Sequence, residues 1–160
     1  MNKFQKDLER WLEFEEKVLS KLTAEGWGII KNPDVKGMDF ILTENGVEVK
    51  ADHYNFHKWK TDNMNAYIEY EAYDKPSWIF KQEELNLTWW IHSVHPESFM
   101  VFPWKIFRRW VADRIEDCQN NTSWTSKWFR ITVWWDGNRT KGLLVPIAEL
   151  EKQAKYTYTL

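Results

Sequence analysis

The segment Asn32–Asp52, with the sequence NPDVKGMDFILTENGVEVKAD, contains the pattern that decides the fold. Two short runs within it, Met38–Thr43 and Val47–Ala51, have the composition of β-strands. The residues between them, Glu44-Asn45-Gly46, include an Asn-Gly pair, which is a strong hairpin signal when it separates two such runs. The segment therefore predicts a β-hairpin.

Three charged side chains occupy matched positions in this hairpin. Asp39 opens the first strand, and Glu48 and Lys50 lie in the second. Because side chains alternate faces along a strand, Glu48 and Lys50 project on one side and Val49 on the other. Pairing through a tight turn can bring Asp39 close to Glu48. The hairpin thus predicts a site composed of two carboxylates and an ammonium group.

Two carboxylates held close together favour a bound cation. Like charges about 4 Å apart repel by roughly 4 kcal/mol at an effective dielectric near 20, and a hard cation such as Mg²⁺ removes that repulsion. A bound metal ion activates water, while Lys50 can orient the water and stabilise charge on a phosphate. The arrangement therefore favours phosphodiester hydrolysis. A Glu-x-Lys triplet is also what an exposed ion pair on a strand produces, and that alternative stays open.

An amphipathic helix is predicted upstream of the hairpin, over residues 3–25, with Gly26 as its stop. Its apolar residues recur at helical spacing and are Phe4, Leu8, Trp11, Leu12, Val18, Leu19 and Leu22. Glu15 interrupts this apolar face, where a charged residue is rarely buried unless it is paired or bound to a metal. Glu15 is therefore a further candidate ligand. The alternative is a stripe centred on Leu12 and Leu19, with Glu15 at its edge.

The rest of the chain alternates between strand and helix patterns. Strands are predicted at Trp27–Lys31, Ala66–Tyr73, Thr88–Ser93, Phe99–Phe102, Lys127–Trp135 and Leu143–Val145, and helices at Ser77–Asn86 (a short one within this range), Trp104–Asp117 and Pro146–Lys155. This order predicts an α/β architecture, with a mixed central β-sheet flanked by α-helices. No repeat or linker divides the chain, so residues 1–160 are expected to form one domain.

Composition limits the classes of protein to consider. Hydrophobic residues make up 43% and charged residues 29% of the chain, as in a typical globular protein, and twelve tryptophans indicate a core built from large rings. The single cysteine, Cys118, excludes an intramolecular disulfide and a thiolate zinc cluster. The charged N-terminus and the lack of a long apolar segment predict a cytoplasmic protein without membrane association. The net charge of −2 is low for a protein that grips a long duplex, although an acidic metal site is compatible with it.

Three features follow one another along the chain: Glu15 on a first helix, Asp39 in a hairpin and the triplet Glu48-Val49-Lys50. In this order they resemble the motif of the PD-(D/E)xK nucleases. The Holliday-junction-resolvase-like and small phage-associated branch is the most similar, and DNMNAYIEYE at residues 62–71 is similar to a segment that follows the motif in such members. The resemblance extends over residues 10–75, under half of the chain. It implies a restriction-endonuclease-like core with a four-stranded mixed sheet, an intracellular and phage-associated setting, and metal-dependent cleavage of DNA.

The same resemblance implies a role for each motif residue. Asp39 and Glu48 would bind Mg²⁺, or Mn²⁺ in its place, Lys50 would assist the attacking water, and Glu15 would be an auxiliary ligand or a water anchor. One departure concerns Pro33-Asp34, which has the letters of the motif name. Asp34 precedes the strand, whereas Asp39 begins it, so Asp39 is the better match.

Other residues could contact the substrate. Lys58, Trp59 and Lys60 follow the hairpin and are predicted to bind DNA, because interleaved basic and aromatic side chains can hold phosphates and stack on bases. An ordinary surface loop anchored by Trp59 is the alternative. Asp52 shares the face of Glu48 and could extend the acidic cluster or be a simple strand-end charge. Lys105, Arg108 and Arg109 are either DNA-facing or solvated.

The sequence leaves the biochemical role open in two respects. Branched and duplex DNA are both compatible substrates, and a homodimer is compatible with an enzyme that cuts both strands. Two rival functions have no catalysis: a domain of the same fold that binds nucleic acid or another protein, and an aromatic-rich single-strand-binding or protein-interaction module whose Glu-x-Lys is a surface ion pair. Loss of divalent-metal binding on substitution of Asp39 or Glu48 would separate the nuclease from these rivals.

Overall fold

The computed structural model describes residues 2–33, 39–42, 45–52, 65–81, 87–120, 129–134 and 139–160. Helices and strands alternate along these segments. In chain order they are α1 (Lys3–Ala24), β1 (Ile29–Lys31), β2 (Phe40–Leu42), β3 (Asn45–Ala51), β4 (Asn65–Ala72), β5 (Lys75–Pro76), the 3₁₀ helix η1 (Trp78–Phe80), β6 (Leu87–His95), β7 (Ser98–Pro103), α2 (Trp104–Asn120), β8 (Arg130–Trp134), β9 (Thr140–Pro146), α3 (Ile147–Gln153) and β10 (Tyr156–Thr159).

Six strands form a mixed sheet in the order β1-β2-β3-β6-β7-β10. The β3–β6 pair is parallel, and the other neighbouring pairs are antiparallel. Parallel neighbours require a crossover connection, and here the chain adds β4, β5 and η1 before it returns to the sheet as β6. The predicted α/β class with a mixed sheet is confirmed.

Four strands form a second, antiparallel sheet in the order β5-β4-β9-β8. This second sheet was not predicted from the sequence. Strand β4 buries Ala66, Ile68 and Tyr70, and β9 buries Leu143 and Val145 in the same apolar cluster. The apolar sides of these strands cover the first sheet as a separate layer, and periodicity within single strands does not reveal which strands share a sheet.

Helix α1 covers one face of the six-stranded sheet. A capping box begins it, in which Asn2 and Gln5 exchange side-chain and backbone hydrogen bonds. Gly26 follows its last turn with a φ of 89°, a conformation that favours glycine. The buried residues of this first core are Phe14, Val18 and Leu22 of α1 with Ile29, Phe40, Val47, Val49, Ile91, Phe99 and Val101 of the sheet.

The opposite face of the six-stranded sheet packs against α2 and the second sheet. This second core is rich in aromatic rings, as the composition predicted. Its large buried residues include Trp90, Phe102, Trp104 and Phe107, and the rings of Phe102 and Phe107 stack with centroids 4.2 Å apart. Neighbouring residues of β6 thus contribute to different cores, Trp90 to the second and Ile91 to the first.

Several element boundaries differ from the sequence predictions. Leu42 pairs with Asn45, so Asn45 and Gly46 belong to β3 and not to the turn. Within Ser77–Asn86 the described part contains only the 3₁₀ turn η1, because Pro76 and the extended conformation of Lys81 bound it. Strand β10 was not predicted. Among the described helices, none is long and apolar enough to cross a lipid bilayer.

Candidate active site

The β2–β3 hairpin sets the positions of Asp39 and Glu48. Phe40 pairs with Val47, so the register extended by one residue places Asp39 opposite Glu48. Residues directly opposite in an antiparallel pair share a face of the sheet. The Asp39 side chain also contacts the partner strand, because its Oδ2 accepts a 2.6 Å hydrogen bond from the Val49 N–H. The structure therefore brings Asp39 and Glu48 together on one side.

That side is the face opposite the side chains of Val47 and Val49. Val47 and Val49 are buried in the first core with Phe14, Val18 and Leu22, and alternation places Glu48 and Lys50 on the other face of β3. Lys50 Nζ lies 2.5 Å from Glu48 Oε1, and the Glu48 side chain is only 2% exposed. The alternative of a surface ion pair is thus wrong, because one partner is fully buried. Glu48 Oε2 is buried without a hydrogen-bond partner among the described residues.

Glu15 reaches the same region from α1. It is buried, whereas Leu12 is 42% exposed, so the alternative stripe centred on Leu12 is wrong. Burial, together with the nearby charge of Asp39, raises the pKa of Glu15 to about 7. A hydrogen bond from the Trp11 side chain and the charges of Lys31 and Lys50 oppose that rise. The helix therefore supplies a buried carboxyl group whose pKa depends on the charges of the hairpin residues Asp39 and Lys50.

The three carboxyl groups form one electrostatic unit. Burial raises the pKa of Glu48 to about 7, Lys50 lowers it, and both Asp39 and Glu15 raise it. Burial also raises the pKa of Asp39, against the opposing effects of Lys50 and of the Val49 hydrogen bond. Three acids that disfavour one another's ionisation are stabilised by a shared proton or by a cation. The single ammonium of Lys50 does not neutralise all three.

The donor atoms fit a hard divalent cation in their chemistry. All three side chains offer carboxylate oxygens, the ligands that Mg²⁺ and Mn²⁺ prefer, and Oε2 of Glu48 is unpartnered. Across the described ranges, however, no three His, Cys, Asp or Glu side chains stand close enough together to form a ready coordination sphere. Oε1 of Glu48 is held by Lys50. Glu48 and Asp39 would be the primary ligands, with Glu15 in an auxiliary position.

Asp52 and His92 extend the site beyond the predicted motif. Asp52 is buried, and its Oδ2 accepts a 2.7 Å hydrogen bond from the Tyr67 N–H, which connects the first sheet to the second. His92 pairs with Lys50 in the β3–β6 register. Burial lowers the pKa of His92 to about 4, with Asp52 raising it and Lys50 lowering it. Neither ring nitrogen of His92 has a hydrogen-bond partner in the part of the chain that is described.

Local sequence patterns predict the position of Asp52 but not that of His92. Asp52 shares the parity of Glu48 and Lys50, and its position on their face follows from strand alternation. His92 was missed, because its approach to Lys50 depends on the parallel pairing of β3 with β6. Between these two strands the chain forms β4, β5 and η1. Such a register is not encoded in a local pattern.

Two tryptophans flank the Lys50 ammonium. Its Nζ lies 5.9 Å from the ring centroid of Trp11 in α1 and 5.9 Å from that of Trp78 in η1. Both indoles are half-buried, so part of each ring faces solvent. Lys81 Nζ lies 4.0 Å from the Trp78 centroid, within the range of a cation–π interaction.

Other charged residues lie away from this cluster. Glu69 is exposed and accepts a hydrogen bond from Ser77, and Glu71 pairs with Lys141, as expected for solvated positions of the sheet. In α2, Lys105 and Arg109 are exposed, and Arg108 lies 5.1 Å from the buried Trp104 ring. The predicted DNA contacts Lys58, Trp59 and Lys60 lie outside the described residues and stay predictions.

Comparisons with known proteins return no relative. No family model, no curated protein and no solved structure matches this chain.

Proposed function

We propose that the protein is a metal-dependent nuclease that hydrolyses phosphodiester bonds in DNA, with Asp39, Glu48, Lys50 and Glu15 as its active site. The observation that carries the proposal is the buried Glu48 carboxylate, which pairs with Lys50 and has Asp39 opposite it. Burying ionisable groups is costly. Perturbed acids gathered around one lysine are therefore more typical of a functional site than of a structural ion pair.

The topology is compatible with the resemblance to PD-(D/E)xK nucleases. The neighbouring strands β1-β2-β3-β6 make a four-stranded mixed unit, with α1 on one face and α2 on the other. The candidate residues occur in the expected order of helix, hairpin strand and partner strand. This agreement supports a restriction-endonuclease-like core. The additional strands of the first sheet and the second sheet lie outside what the resemblance implies.

The side chains divide the chemistry between them. Asp39 and Glu48 would hold Mg²⁺ or Mn²⁺, which supplies Lewis acidity and lowers the pKa of bound water. Lys50 places its ammonium beside Glu48, where it stabilises negative charge that develops on a phosphate oxygen. Glu15, which α1 supplies, would be an auxiliary ligand or would anchor the attacking water.

Cleavage assays on branched, duplex and single-stranded DNA, in Mg²⁺ or Mn²⁺ and in EDTA, test this proposal. Activity is expected with either metal and not in EDTA, and Lys50→Ala should retain the fold but lose activity. Glu71→Gln is the matched control, because Glu71 also pairs with a lysine but lies in the second sheet. Undiminished cleavage by Lys50→Ala, or no cleavage of any substrate by the wild-type protein, would contradict the proposal.

A further inference from the structure

The surroundings of Lys50 carry information about the substrate. Trp11 and Trp78 come from separate elements, α1 and η1, yet both rings lie 5.9 Å from the same ammonium nitrogen. Both rings are half-buried, in contrast to Trp90 and Trp104, which lie fully inside the second core. Aromatic surface is thus retained beside the candidate catalytic lysine.

The ring of Trp78 also has a second lysine beside it. Lys81 is exposed, and its Nζ lies 4.0 Å from the Trp78 centroid. Lys50 and Lys81 therefore place two positive charges around one partly exposed indole. Among the described residues, Glu48 pairs with Lys50 and no acidic side chain pairs with Lys81.

An indole flanked by lysines matches the chemistry of an unpaired nucleotide. Bases stack on aromatic faces regardless of sequence, and phosphates bind nearby ammonium groups. A base within a duplex already stacks on its neighbours and cannot use such a ring unless it leaves the helix. The shape of the site therefore favours nucleic acid with a single-stranded segment at the scissile phosphate.

We infer that Trp78, with Lys81 and Lys50, forms a binding subsite for an unpaired nucleotide, so that the substrate is single-stranded DNA or the single-stranded part of a branched DNA. The base stacks on Trp78, and the flexible side chain of Lys81 moves from the ring to a phosphate. Trp11 forms the opposite side of the subsite and also donates a hydrogen bond to Glu15. This inference rests on the proposed function for its biological meaning, but the binding it describes can be measured without cleavage.

Fluorescence anisotropy in EDTA tests the subsite with a labelled oligothymidylate and a blunt duplex of the same length, at one fixed salt concentration. The wild-type protein is expected to bind the single strand about ten-fold more tightly than the duplex. Trp78→Leu should reduce single-strand affinity by about ten-fold, whereas Trp78→Phe, which keeps an aromatic face, should retain most of it. Circular dichroism verifies that both variants fold.

Tyr156→Ala is the matched control. Tyr156 is an exposed aromatic residue with Lys155 5.7 Å from its ring, but it belongs to β10 at the far edge of the six-stranded sheet. Its substitution should leave single-strand affinity unchanged. Equal affinity for single strand and duplex, or equal affinity of Trp78→Leu and Trp78→Phe, would overturn the subsite. If the wild-type protein binds the single strand as expected but cleaves no DNA, the result would count against the proposed nuclease activity alone.

Discussion

The backbone N–H of Val49 donates a 2.6 Å hydrogen bond to Oδ2 of Asp39. The carboxylate therefore has two roles, since it satisfies a buried backbone donor of β3 and contributes charge to the candidate metal site. Val49 itself is fully buried against α1. These structural and chemical roles can be separated by substitution, because asparagine keeps the acceptor oxygen and removes the charge.

We predict that Asp39→Asn retains most of the stability of the protein but loses metal binding. Asp39→Ala should lose both, with the free energy of unfolding lowered by about 1–3 kcal/mol because the Val49 N–H is left without its partner. Urea unfolding measures the first property, and calorimetric titration with Mn²⁺ measures the second. Metal binding by Asp39→Asn equal to that of the wild type would remove Asp39 from the ligand set.

The pKa of Glu48 predicts a dependence of stability on pH. The carboxyl has a pKa of about 7 in the folded protein, against 4.5 for an unperturbed glutamate. The folded state therefore binds more protons than the unfolded state between these values, and the contribution of Glu48 to stability is lost as pH rises from 4.5 to 7. Glu48→Gln removes this loss, so in metal-free buffer it should be more stable than the wild type by about 1–3 kcal/mol at about pH 8.

Addition of Mn²⁺ provides the complementary measurement. A cation bound by the folded protein stabilises it by mass action, so the wild type should gain thermal stability with Mn²⁺ at alkaline pH and Glu48→Gln should gain much less. If the unfolding free energies of the two proteins change with pH in the same way, burial does not raise the pKa of Glu48.

The buried imidazole of His92 predicts the opposite dependence. Its pKa of about 4 in the folded protein lies below the unperturbed 6.5, so the unfolded state binds more protons between these values. Stability from this residue is present above pH 6.5 and is lost as pH falls towards 4. His92→Leu should abolish that loss and be more stable than the wild type in acid, by about 3 kcal/mol at most.

Denaturant titrations at several pH values between 4 and 7 measure this effect. Asp52 and Lys50 face His92 and remain in the variant, so their contributions are common to both proteins. If the difference between His92→Leu and the wild type does not change with pH, the imidazole is not kept neutral by burial.

The sequence predicted the parts of the site that depend on local geometry. Strand alternation placed Glu48 and Lys50 on one face, hairpin pairing brought Asp39 to them, and helical periodicity singled out Glu15 as a buried charge. Each of these relationships is encoded within one element or between two adjacent ones. Their chemical role as a metal site stays a prediction, because no comparison bears on it.

The parts that were not predicted depend on long-range pairing. His92 meets Lys50 only because β3 and β6 pair in parallel. Trp78 approaches Lys50 from η1, which follows β4 and β5 in the chain. The division into two sheets has the same origin, since β4 pairs with β9 from much later in the chain. The Asn45–Gly46 pair misled for a local reason: it is a strong turn signal, yet here both residues pair within β3.

The second sheet is tightly packed where Gly142 of β9 meets Tyr67 of β4. A Cβ atom added to Gly142 would lie 2.0 Å from a carbon of the Tyr67 ring, so the ring would have to move. Tyr67 also donates its backbone N–H to Asp52, beside His92. Gly142→Ala should therefore destabilise the protein by about 1–3 kcal/mol, as overpacking in a core does.

Gly28→Ala is the matched control, because a Cβ at Gly28 meets nothing within 4 Å. It should be neutral or stabilising by about 0.5 kcal/mol, since alanine restricts the unfolded chain. Urea unfolding compares the two variants with the wild type. A Gly142→Ala protein as stable as Gly28→Ala would contradict the prediction, because it would mean that the Tyr67 ring moves aside without cost.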